Sequence, residues 1–175
     1  MKSQQIAEKL TENHRNFTEF ILALSAKEYS YSPAGKWNAG EHLDHILRGV
    51  SAVETALSLP KFVSGFLFGK ADRDSSDYDT LVANYRARLE SGGKASGKFI
   101  PDKNEIAKRE KLVEKLINSV NGLNRKLETY SEGQIDQLLI PHPLIGKLTT
   151  REMMYFTIYH VEHHHNAAKE NLRTL

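Results

Sequence analysis

The sequence predicts an all-α fold, a bundle of four long helices. Four segments carry apolar residues at three- and four-residue steps, helix-start signals precede two of them, and no segment shows the alternation of a strand. A length of 175 residues suits one domain, residues 1–175. A chain of this size buries roughly 70% of the surface its unfolded form exposes, so it needs no staples to fold.

The first segment runs from about Ser3 to Leu24. Ile6, Leu10, Phe17, Ile21 and Leu24 make one stripe, with His14 near it. Turn formers and Pro33 interrupt the chain over residues 29–35. Asn38, with Glu41 three residues on, reads as a capping box for the second helix. Trp37, just before the cap, is placed to staple onto His42 or Leu43. Leu43, Ile46, Leu47, Val50 and Val53 carry this helix toward Leu57, and Pro60 limits it.

Residues 60–103 form an irregular insertion between the second and third long helices. It holds a glycine-interrupted apolar stretch at 62–69, an acidic stretch at 72–79, a short helix expected over Tyr78 to Leu89, and a flexible Ser/Gly-rich loop at 91–97. Such excursions either cover a functional site or simply run over the surface. The third long helix is expected from about Asn104 to Thr129. After a loop at 141–147, Thr149 or Thr150 caps the fourth, which continues to about Leu172.

Composition excludes several functions. With no cysteine, the chain has no disulfide, thiolate ligand or cysteine nucleophile, so any thiol chemistry needs a thiol brought in as substrate. Lys and Arg number 24 against 22 Asp and Glu, and the densest basic stretch, Lys98 to Lys115, is interleaved with Asp102, Glu105, Glu110 and Glu114. That is a solvated helix face and not a nucleic-acid footprint. No apolar run approaches the ~18 residues needed to span a bilayer. The N-terminus lacks the apolar stretch of a signal peptide, and a cytoplasmic location is expected.

Histidine carries the candidate chemistry. Six of the eight fall in two clusters: His42 and His45 on the second helix, and His160, His163, His164 and His165 on the fourth. Residues four apart share a helix face, so His160 and His164 can grip one ion. Met153, Phe156, Thr157, His160, Val161, His164 and Ala168 follow the inward stripe. Two imidazoles there need partners, and a metal satisfies both. Two plainer readings compete: a hydrogen-bonded core histidine, and a solvated helix end at 163–165 that suits the macrodipole. Periodicity leaves open whether His42 or His45 joins the pair.

Three stretches resemble the DinB-like superfamily of metal-dependent enzymes, which includes the YfiT-type proteins. In Trp37 to Leu47, a tryptophan is followed eight residues later by His45. His142-Pro143-Leu144-Ile145-Gly146-Lys147-Leu148-Thr149 is similar to the family's loop into the last helix, and His160-Val161-Glu162-His163-His164 to its paired ligands. The resemblance implies His45, His160 and His164 as ligands of a divalent transition metal such as zinc or nickel, and a chain that is often a homodimer. It implies no single reaction, since members are linked to hydrolysis and to thiol transfer. Many members carry glutamine three residues after the last ligand, where this chain has Ala167.

Three neutral imidazoles leave open metal positions, as in catalytic rather than structural sites. The expected function is therefore a metal-dependent hydrolase or thiol-S-transferase acting on a small molecule, with a low-molecular-weight thiol as one substrate. A ligand- or partner-binding helical protein with a structural metal is the alternative. Glu41, Asp44 and Glu162 are the nearby carboxylates, candidates for a general base or for orienting a ligand imidazole. The run Val161 to His164 is not a HExxH motif, so no metalloprotease is expected.

Overall fold

The computed structural model describes residues 1–175, and the chain is mostly helical with one two-stranded sheet. Its elements are α1 (Ser3–Ala23), α2 (Ala26–Ser30), α3 (Ala39–Ser58), α4 (Lys61–Phe68), α5 (Tyr78–Glu90), α6 (Arg109–Glu128), α7 (Glu132–Gln137), β1 (Leu139–His142), β2 (Gly146–Thr149) and α8 (Thr150–Leu172). Short 3₁₀ turns occupy Gly97–Phe99 and Ile106–Lys108. No helix is long and apolar enough to cross a membrane.

The four long helices pack in a ring, α1 on α6, α6 on α3, α3 on α8 and α8 back on α1. Their apolar stripes meet in one contiguous core. Ile6, Leu10, Phe17 and Ile21 of α1 face Leu116, Val120, Leu123 and Leu127 of α6, with Leu43, Ile46 and Val50 of α3 and Met154, Ile158 and Val161 of α8. Burying each such side chain contributes about 1.5–3 kcal/mol before conformational entropy is counted.

The helix starts follow their sequence signals. Asn38 accepts from the amide of Glu41, whose carboxylate accepts from the amide of Asn38, closing the box on α3. Thr149, rather than Thr150, does the same with Glu152 on α8. Glu152 is also fully buried against the insertion: Arg73 donates both guanidinium nitrogens to it at 2.6 and 2.8 Å, and the Ser76 amide adds a third bond. Burial pushes its carboxyl up, but Arg73 and the amides outweigh that and hold it down at about 2.

Three elements differ from the sequence reading. The insertion is more regular than expected: the short helix expected over Tyr78 to Leu89 is α5, capped by Asp77, but the apolar stretch before it also forms a helix, α4, which closes on Gly69 at φ +90°. The 141–147 loop belongs to a β-hairpin whose register pairs Leu139 with Thr149 and His142 with Gly146. Strands of four residues containing Pro141 carry too little alternation to read. The third long helix starts at Arg109, about a turn later than expected. The Asp102 amide is bonded to Asp44, which holds the preceding chain extended.

Candidate functional site

The histidines come together where α3 faces α8. His45, His160 and His164 each offer a ring nitrogen, and the three nitrogens lie within 4.8 Å of one another. His160 Nε2 is 3.1 Å from His45 Nε2 and 3.1 Å from His164 Nε2. All three rings are buried.

The surrounding bonds fix which nitrogens converge. His45 Nδ1–H donates to the carbonyl of Phe99 at 2.7 Å, which leaves its Nε2 lone pair free. Asp44 and Arg48 build that acceptor. The Asp102 amide donates to Asp44, while Arg48 donates to Asp44, to the Lys98 carbonyl and to Asp102. Residues 98–102 are thereby clamped onto α3, with the Phe99 carbonyl aimed at His45. On the other side, His164 Nδ1 lies 2.8 Å from His42 Nδ1. For His164 Nε2 to present its lone pair to the centre, His164 must carry its proton on Nδ1 and donate to His42, which then carries its own proton on Nε2, an atom buried without a partner.

Aromatic rings wall the site. Trp37 stacks on His164 at 5.8 Å and tilts over His45 at 4.9 Å, and Phe156 stacks on His160 at 4.7 Å. Burial, then neighbouring histidines, hold His160 and His164 well below the ordinary imidazole range. Burial lowers His45 against its bond to Phe99, and burial followed by His45 pushes His42 down to about 3. All four rings are neutral at pH 7.

This donor set fits a divalent transition metal. Three neutral imidazoles face one another through Nε2, and a single ring proton on His160 cannot satisfy both neighbours at once. An ion about 2.0–2.1 Å from each nitrogen would set them about 3.3 Å apart in tetrahedral geometry, close to the 3.1 Å that separates His160 Nε2 from each of the other two. The three residues can hold such an ion with no protein ligand at its remaining positions.

The carboxylate candidates lie elsewhere. Glu41 is engaged by the Asn38 amide, Asp44 by Arg48 and the Asp102 amide, and Glu162 is exposed. None of the three lines the adjoining cavity, which measures about 1130 Å³ and includes the histidines in its wall. Of the other histidines, His42, His142 and His163 also line the cavity, while His165 turns away onto Phe17 and Phe20. His14 bonds the Leu10 carbonyl inside the core.

Sequence reasoning missed two contributors. The Phe99 carbonyl has no side-chain signature and lies 54 positions from His45. The bond from His42 to His164 crosses between helices; the only sequence signal was a histidine three residues before His45.

Fold and site together define a helical protein with a buried three-histidine centre able to hold a divalent metal. The chain belongs to the DinB superfamily, whose family model matches residues 9–168. Its fold is similar to the crystal structure of a conserved protein from Enterococcus faecalis, with a TM-score of 0.62 at 19% identity over 99% of this chain and 96% of that one. At that identity the likeness speaks to the fold alone. No curated protein matches the chain.

Proposed function

We propose that the protein is a metal-dependent enzyme acting on a small molecule by hydrolysis or thiol-S-transfer, with His45, His160 and His164 as ligands of zinc or nickel. One observation carries this reading: three neutral Nε2 atoms converge in the wall of a large cavity. When bound, such an ion supplies Lewis acidity suited to activating water or a thiolate. The chain's residues supply the rest. Phe99 and His42 orient two ligand rings, Trp37 and Phe156 exclude water from their faces, and the cavity holds the substrate.

Residues 1–175 act in this reading as one domain, a four-helix bundle with α4 and α5 inserted. A homodimer, as the family resemblance implies, and a cytoplasmic location are part of this reading.

A second reading, a ligand- or partner-binding protein with a structural metal, is favoured by the absence of Glu41, Asp44 and Glu162 from the cavity wall. Screening metal-loaded protein against ester, amide and thiol-plus-electrophile panels separates the two. Turnover that disappears in His45→Ala supports the enzyme. A bound metal with no turnover across the panels supports the structural role.

A further inference from the structure

The cavity beside the histidines has a direction. One wall is a stripe of α3, where Gly49, Ala52 and Ala56 follow at steps of three and four and so share a face. A Cβ added at Gly49 would reach only the His160 ring, at 3.7 Å. Small side chains therefore leave the space between α3 and α8 open beyond the histidines. Met153 and Phe156 of α8 also line it, as do Phe68 at the end of α4 and Leu59 at the end of α3. At 1.5 Å per residue, the helix from Gly49 to Leu59 measures about 15 Å.

The chemistry of the wall changes along this length. From Gly49 to Leu59 and across to Phe156, the lining side chains carry no charge. The side-chain polar atoms of this stretch are those of Thr55, whose hydroxyl donates to the Ser51 carbonyl, Tyr85 and His142, so a polar group lying along Ala52 and Ala56 meets few partners, and each one left unpaired costs about 1–3 kcal/mol. Charge enters the lining on exposed side chains. Lys36 precedes Trp37, which stacks on His164, and Lys98 precedes Phe99, whose carbonyl bonds His45. Lys94 lines the cavity too, against a single carboxylate, Glu170.

We propose that the substrate is a linear aliphatic molecule ending in an anionic, metal-ligating head group. The head sits at His45, His160 and His164 between the lysines, and the chain lies along Gly49, Ala52 and Ala56. The proposal rests on the metal-centre reading for its head group and on the cavity alone for its chain.

Trp37 is the sole tryptophan and lines the cavity, so its fluorescence reports occupancy directly. Wild-type protein, with and without one equivalent of zinc, is titrated with linear carboxylates from butanoate to dodecanoate and with the matching primary alcohols. Each added methylene is expected to tighten binding about fourfold until the arm is filled. Carboxylates are expected to bind more tightly than alcohols, by a margin that zinc increases. Ala52→Phe and Ala56→Phe are expected to weaken the long members and spare butanoate.

Affinity independent of chain length in zinc-loaded protein would overturn the aliphatic arm and leave the metal centre standing. Alcohols binding as tightly as carboxylates would overturn the anionic head. A full chain-length series in protein that takes up no zinc would instead overturn the metal centre and leave the arm.

Discussion

Replacing His42 by Ala removes the acceptor for the His164 Nδ1–H and leaves that donor buried. The bond it breaks is 2.8 Å long between two rings that are 5% and 7% exposed, so bulk water does not readily take the place of His42. Losing the outer partner of a metal-ligating histidine costs roughly 10–100-fold in metal affinity, which is about 1.4–2.8 kcal/mol. Burial places this site toward the upper end, at about 2 kcal/mol. The assay is competition with a chromophoric zinc chelator at neutral pH. Thermal unfolding of the metal-free variant checks that the fold survives. His42→Gln, whose amide oxygen can accept the same bond, should recover part of the loss. An affinity within about threefold of wild type would refute the orienting role, because a donor losing its only partner should cost more. A loss as complete as that of His45→Ala would show that His42 is itself a ligand.

Two further predictions concern stability. Glu152→Ala leaves Arg73 and the amides of Thr149 and Ser76 without their acceptor, and should cost about 3 kcal/mol, lowering Tm by roughly 6–12 °C in calorimetry. Because the folded Glu152 carboxyl is held at about 2, below its ordinary 4.5, its contribution is fully present above pH 4.5. That contribution is lost as pH falls toward 2, so the wild type should lose more stability across this window than the variant in acid denaturation. Gly40→Ala places a Cβ 2.8 Å from the fully buried Tyr29 ring and should cost about 1–3 kcal/mol in urea unfolding. Gly122→Ala meets only the flexible carboxylate of Glu54 and should cost less.

The sequence showed the long helices because each buries a stripe along its whole length, as Ile6, Leu10, Phe17 and Ile21 do on α1. The Asn38 and Glu41 cap was legible because the two sit within one turn of each other, whereas the α8 cap was narrowed only to Thr149 or Thr150, and the structure pairs Thr149 with Glu152. The spacing of His160 and His164 placed them on one face. What escaped was set by distant contacts. The 139–149 hairpin consists of two four-residue strands without a clear alternation. α6 starts late, after a 3₁₀ turn at Ile106–Lys108, and the chain just before that turn is bonded at Asp102 to Asp44 and Arg48 of another helix. Periodicity could not choose between His42 and His45; the structure shows both at the centre, with His45 facing His160 and His42 touching His164 from behind.

The measurement closest to the central claim is the metal content of untagged protein by mass spectrometry, wild type beside His45→Ala and His160→Ala. About one zinc or nickel per wild-type chain is expected, with loss in both variants and unchanged helical circular dichroism. No metal in wild type after incubation with zinc and nickel, or equal metal in wild type and variants, would contradict the three-histidine centre.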